Sequence, residues 1–295
     1  MFPIPGSTRL NDKIFLYLSW EDLEKSRELQ SLYVKDCTKF GTLIDVIKNI
    51  NDKYNGLNNI KWLLDQGIDP AACYNNALRL ASKNGHTNIV KLLLDDPRVD
   101  PSAMGNHAIQ EASTKGHTNI VKLLLNDPRV DTSATDNYAI RSASNKGRTD
   151  VVKLLLNDPR VDPTSYDNYA IRKASNKGHT NIVKLLLVID GVNPAANNNW
   201  AIRRASQKGR TDVVKLLLKD PRVDPTAKNN EAIQVASTNG HIEVVKLLLD
   251  DPRVDPSAMG NYDIREASTK GHIKIVKLLL KDPRVDPRIL SKIHD

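Results

Sequence analysis

From Ala77 onward the apolar residues recur at helical spacing, as pairs of short stripes broken by glycine and proline. In NALRLASKN, Leu78 and Ala81 fall on one face of a helix. Gly85 ends that run, as a residue able to take the left-handed conformation that closes helices. TNIVKLLLD follows. Ile89, Val90, Leu93 and Leu94 form its buried stripe and Lys91 points outward. Pro97 stops this second helix, because its ring disfavours helical geometry in the residue before it. The following PRVDPSAMG reads as a turn-rich connector. Asn75 is expected to cap the first helix through its side-chain oxygen, and Thr87 or a neighbour the second. Where one unit has Asn88, others have Asp150, Asp212 and Glu243, acids suited to the positive end of a helix dipole.

This pattern repeats without drift. Gly85, Gly116, Gly147, Gly178, Gly209, Gly240 and Gly271 are each 31 residues apart, and so are Asn75, Asn106, Asn137, Asn168, Asn199, Asn230 and Asn261. Residues 71–287 are therefore seven units of 31. One helix pair is too small to bury its own leucines. Stacked neighbours would share a continuous core, so the fold expected is an all-α solenoid.

The unit resembles the ankyrin repeat. KGHTNIVKLLL (115–125) matches that family's glycine–histidine turn and second helix, AIRKAS (170–175) its first-helix run, and DGVNP (190–194) its connector. The period of 31 is shorter than the family's usual length of about 33. The resemblance thus implies short finger loops without β-structure. The family's threonine is replaced by Asn76, His107, Tyr138, Tyr169, Trp200, Glu231 and Tyr262, and its histidine by Arg or Gln. The Asn row is expected to supply the caps in place of the family's threonine–histidine network. The DPRVDP style of connector is also similar to the ankyrin proteins of giant DNA viruses of amoebae, which would place this chain in a host-cell cytoplasm.

Residues 41–70 read as a degenerate first repeat, with LIDVIKNI (43–50) and NNIKWLLDQGIDP (58–70) as its two helices, and 288–295 as a short tail. Residues 1–40 are not a repeat. They read as a helical cap or, alternatively, as an F-box. KIFLYLSWEDL (13–23) resembles the F-box core through Ile14, Leu18, Asp22 and Leu23. That alternative implies a substrate adaptor of a ubiquitin ligase. In the last unit, Ile273, Lys274 and Ile275 leave an outward face lightly covered; a monomer is the expected state, with fraying or self-association through the C-terminal end as the alternatives.

Composition narrows the chemistry. No apolar run approaches the roughly 20 residues of a membrane span, and the start lacks a signal-peptide pattern. Two cysteines, Cys37 and Cys73, make no disulfide framework, which suggests an intracellular, cytoplasmic chain. Five of the seven histidines occupy one repeat position. Equivalent atoms in stacked units sit about 8–10 Å apart, too far to share a zinc ion that needs ligands at about 2.0–2.3 Å. No phosphate-binding glycine loop occurs, and Asp95-Asp96 and Asp250-Asp251 read as solvated charge. No metal, cofactor or catalytic activity is expected.

The charge is concentrated. The chain carries a net +8, while residues 133–225 alone hold 16 Lys+Arg against 9 Asp+Glu. The next unit, 226–256, has 3 basic and 5 acidic residues. The basic stretch also places Tyr138, Tyr169 and Trp200 at one repeat position, where aromatic and arginine side chains suit a binding hot spot. Tyr138, Tyr169, Trp200, Arg172, Lys173, Arg203 and Arg204 are the candidate site, for an acidic segment of an unidentified protein. Nucleic acid is the rival ligand. It is disfavoured because each unit also places acids such as Asp158 and Asp162 beside its bases.

Overall fold

The computed structural model describes residues 56–286 together with Leu43, Ile44, Val46, Ile47 and Arg288. The proposed cap or F-box segment, with Ile14, Leu18, Asp22 and Leu23, lies outside the described residues, as does 289–295. Among the described residues the fold is all-α, with fifteen helices and no strand. Helix α1 (Gly56–Asp65) comes first. Two hairpins follow, α2 (Ala72–Asn84) with α3 (Thr87–Leu94) and α4 (Ala103–Lys115) with α5 (Thr118–Leu125). The next are α6 (Ala134–Lys146) with α7 (Thr149–Leu156) and α8 (Ser165–Lys177) with α9 (Thr180–Leu187). The last three are α10 (Ala196–Gln207) with α11 (Thr211–Leu218), α12 (Ala227–Thr238) with α13 (Ile242–Leu249), and α14 (Ala258–Thr269) with α15 (Ile273–Leu279).

The chain forms two compact units divided between Thr135 and Asp136. In the first, α2 packs on α3 and α4, and α3 on α1 and α5. In the second, α8, α10, α12 and α14 stack in order, and α7, α9, α11, α13 and α15 form a parallel stack. The stripes meet between the stacks. Ala77, Leu78 and Ala81 are buried, as are Ile89, Val90 and Leu93, and their equivalents recur along the chain. Each fully buried Leu, Ile or Val contributes roughly 1.5–3 kcal/mol. Leu94 is only half-buried, while Lys91 is exposed. One core position was not evident from helical periodicity. The single apolar residue of the connectors is buried at Val99, Val130, Val192, Val223, Val254 and Val285.

The Asn row does not cap the first helix. Cys73, Tyr74 and Asn75 all have left-handed backbone, with φ of 49, 59 and 57°. The same three-residue left-handed turn precedes the regular part of the first helix in every unit. For residues bearing a Cβ this conformation costs roughly 1–2 kcal/mol each, less for Asn, Asp and Gly. The sequence answers that cost. The last position of the turn is always Asn, and the middle one is Gly105, Asp136, Asp167, Asn198, Asn229 or Gly260 in six units. The Asn side chain then serves a different donor. The backbone N–H of Asp100 donates to Asn75 Oδ1 at 2.8 Å. Asp131, Asp162, Asn193, Asp224 and Asp255 likewise donate to the Asn 25 residues earlier. In the final unit Asn261 Oδ1 is buried without such a partner.

The second helix also starts without the side-chain cap expected of Thr87. The turn before it is tied to the preceding unit instead. His117 Nε2 lies 2.9 Å from the carbonyl oxygen of Lys83, so that nitrogen carries the proton. His179, His241 and His272 make the same contact with Asn145, Gln207 and Thr238. Arg210 substitutes by donating from Nε to Asn176. All seven repeat glycines have left-handed φ, and at Gly85, Gly147, Gly209 and Gly240 a histidine ring also fills the space of a side chain. A Cβ on Gly209 would lie 2.6 Å from the His241 ring, and the φ of +64° already disfavours a side chain.

The paired acids are not simply solvated. Asp96 accepts two bonds from the Arg98 guanidinium, at 3.0 and 2.7 Å, and its carboxylate is mostly buried. The fork recurs at Asp127, Asp158, Asp220, Asp251 and Asp282 with the arginine two residues on. Four of these arginines reach back with Nη1 to a carbonyl 30 residues earlier: Val99, Val192, Val223 and Val254. The arginine hydrogen bonds hold all six carboxyls below the usual aspartate range. Their stabilisation is complete above the unfolded-state pKa of about 3.9 and is lost as the pH falls through the folded-state value.

Asp263 behaves in the opposite sense. It occupies the position held by buried Ala in the other six units, and neither carboxylate oxygen has a hydrogen-bond partner. Burial, helped by repulsion from Asp255, pushes its pKa up to about 8. Its stability contribution is therefore greatest below about pH 3.9, where both states are protonated, and declines as pH rises through the raised value. Asp263→Ala is expected to stabilise the last unit, with a gain that grows between pH 5 and 8 by about 1.4 kcal/mol per pH unit. Chemical denaturation of both proteins across that range measures the difference, and a gain independent of pH would contradict the burial argument. Gly209→Ala is expected to cost about 1–3 kcal/mol in the same measurement, from the left-handed backbone and the displaced His241 ring.

Candidate partner-binding site

The site grows out of the left-handed turns. The Arg/Gln row of the first helices supplies donors to carbonyls of the left-handed turns in the six units after the first, while Arg79 donates to the Asn76 side chain. Arg172 donates from Nε to Asp167 O at 2.7 Å and from Nη2 to Tyr166 O at 3.0 Å. Arg203 does the same with Asn198 and Asn197, and its Nη1 pairs with Glu231. Arg141 donates to Asp136, Gln110 to Gly105, Gln234 to Asn229 and Arg265 to Met259. Bonds from a charged donor contribute roughly 1.5–3 kcal/mol, enough to offset much of the cost of one turn. Of the candidate residues, Arg172 and Arg203 are buried and donate to the backbone of their own turns. They support the surface from beneath.

The other five candidates lie on the surface those turns create. Lys173 Nζ sits 5.2 Å from the Tyr169 ring centre and 5.1 Å from that of Trp200. The Arg204 guanidinium lies 5.8 Å from the centre of the Trp200 ring, and that of Arg172 approaches the same ring at 5.6 Å. Tyr138 is reached through Arg141, whose guanidinium is 5.7 Å from Tyr138, 5.4 Å from Tyr169 and 4.9 Å from Tyr166. Tyr166 packs edge-on against Tyr169 at 5.9 Å. The result is an alternating series of rings and cations across α6, α8 and α10, all within the second unit.

Arg141 and Tyr166 were missed as members. Tyr166 lies in the left-handed turn, three residues before Tyr169, so it falls outside the regular helix whose repeat position defines the aromatic row. Arg141 belongs to the Arg/Gln row, and its contact with three rings depends on that turn bringing Tyr166 back over the helix.

The electrostatics of the series are unbalanced. No carboxylate among the described residues pairs with Lys173 or Arg204; Arg204 Nη1 donates to Gln207 Oε1 at 2.8 Å. Each cation–ring contact is worth roughly 0.5–1 kcal/mol at exposed sites, enough to hold the cations without neutralising them. Both therefore present charge to whatever lies on the surface. Among the described residues no cluster of His, Cys, Asp and Glu could hold a metal ion, and no helix is long and apolar enough to cross a membrane. Cys73 is exposed as a free thiol; Cys37 lies outside the described residues. Ile273 of the last hairpin is exposed.

Comparison with protein families gives one family. Its model, ankyrin repeats, matches three times, over residues 50–136, 138–229 and 202–289. No curated protein matches the chain.

The division between support and contact has a measurable consequence. Arg203→Leu, which keeps bulk but removes the donors, is expected to cost about 2–4 kcal/mol by urea unfolding. Lys173→Ala is expected to cost less than about 1 kcal/mol. Equal costs would contradict the separation of roles.

Proposed function

The chain belongs to the ankyrin-repeat family, and from that premise we propose that it is a non-catalytic scaffold that holds an acidic segment of a partner protein against the first helices of its second unit. Ankyrin repeats are protein-binding modules. The fixed positions of each unit are committed to packing and to ties between units, so selectivity falls to the side chains that differ from unit to unit. The observation that carries the reading is the pair Lys173 and Arg204. Both are held against Trp200, and neither is paired with an acid among the described residues. A carboxylate brought to that surface would meet two positioned charges and an aromatic face. Tyr138, Tyr169 and Trp200 supply contact area at low conformational cost. Arg172 and Arg203 keep the rings and turns in place.

The adaptor alternative rests on Ile14, Leu18, Asp22 and Leu23 and gains nothing from the surface described. The nucleic-acid alternative would need a longer run of unpaired cations than this one, since Arg141, Arg172 and Arg203 already donate to protein carbonyls.

The test is comparative affinity purification with wild-type chain and a Trp200→Ala, Arg204→Glu double variant, both confirmed helical by circular dichroism. A hot-spot tryptophan contributes about 2 kcal/mol or more, roughly a thirtyfold loss of affinity. Partners recovered by wild type are expected to be lost by the variant and to share an acidic segment. An unchanged set of partners would put the binding surface elsewhere.

A further inference from the structure

The site has a register as well as a charge. Lys173 and Arg204 occupy the same position of α8 and α10, one unit apart. The same position of α12 holds Val235 and that of α14 holds Glu266, both partly exposed. Along the stack of first helices the row therefore reads cation, cation, apolar, anion. Adjacent stacked helices lie about 8–10 Å apart, and an extended peptide in the polyproline II conformation advances about 3.1 Å per residue with three residues per turn, so one turn of about 9 Å spans one unit and every third side chain faces the same side. We propose, building on the reading of an acidic partner, that the ligand is an extended peptide whose side chains at every third residue run acid, acid, apolar, base. The two acids would meet Lys173 and Arg204, the apolar residue Val235, and the base Glu266.

Three features favour an extended chain over a helix. The ring and cation series runs along the stack as a single file, so a narrow ligand covers it. The unpaired charges are one unit apart and number two, so a ligand with acids at every turn would place surplus carboxylates over Val235 and Glu266. Like charge opposite Glu266 opposes such a ligand, which makes that residue a selector against uniformly acidic chains. Glu231 is not an equivalent selector, because its carboxylate is occupied by Arg203.

The experiment uses the full chain and synthetic fluorescent peptides, read by anisotropy at low salt. One peptide carries the proposed order at three-residue spacing, in both chain directions. Controls place the same residues two or four apart, and another puts proline at the intervening positions. The proposed order is expected to bind in one direction, to tolerate proline, and to weaken at least about tenfold when the spacing changes. Lys173→Glu is expected to lose that peptide and recover it when one peptide acid is exchanged for lysine. Lys173→Met and Arg204→Met, which keep bulk without reversing charge, are expected to weaken binding without unfolding the chain. Failure of the charge exchange to restore binding, or loss of binding with proline, would overturn the register. Acidic peptides that bind equally at every spacing would leave the acidic-partner reading in place and remove this one. If no acidic peptide binds, both readings fall. If a single-stranded oligonucleotide binds instead, with affinity falling steeply with salt, both fall in favour of phosphate contacts.

Discussion

A carbonyl left open between short helices must find a donor, and in this chain the donor often comes from the unit that follows. His241 reaches Gln207 and Arg253 reaches Val223 from the next unit, while within one unit the N–H of Asp255 reaches Asn230 Oδ1 and ties the connector to the left-handed turn. These ties act at fixed sequence offsets of 34, 30 and 25 residues. The buried stripes could not set the register by themselves. The second helices α3, α5 and α9 have the identical sequence TNIVKLLL, and the others differ little. Hydrophobic burial is non-directional, so a stack displaced along such stripes would bury nearly as much surface. It would leave every one of those carbonyls and amides without a partner, at a cost of roughly 1–3 kcal/mol for each buried group. Burial makes the units adhere, and the polar ties decide how.

The same arrangement separates structural from variable positions within the first helix. The Arg/Gln row looks inward and backward, onto the carbonyls of the left-handed turn. The next position looks outward and is free of that duty, which is why it ranges over Lys173, Arg204, Val235 and Glu266. Neighbouring arginines such as Arg203 and Arg204 therefore do different work, although composition gives them equal weight. Much of the positive charge of residues 133–225 is internal in this sense, shared with carbonyls or with paired aspartates. The part available to a partner is smaller and more ordered than the net charge implies.

The period, the helix pairs and the glycine closures were legible because each leaves a mark at fixed spacing. The cost of a left-handed turn was legible too, as Asn, Asp or Gly at two successive positions, but Asn before a helix has a commoner meaning as a cap. Only the backbone direction separates the two. The inward role of Arg172 and Arg203 was hidden for a related reason. It depends on carbonyls that face the arginine only once three residues have turned left-handed. The connector valines recur every 31 residues but, like Tyr166, each stands in a turn outside any helical stripe, so the pattern of apolar faces does not mark them as buried. Asp263 stood out as a departure from Ala, yet its burial without a partner was visible only in the fold.

The central claim, that each unit is closed by its successor, is tested most directly by amide hydrogen exchange on His241→Ala. This change removes the ring that approaches Gly209 and the carbonyl of Gln207. The account predicts faster exchange in the turn at residues 205–210, which precedes the mutated residue by one whole unit, as well as in its own turn. Loss of protection confined to the residues around position 241 would contradict it.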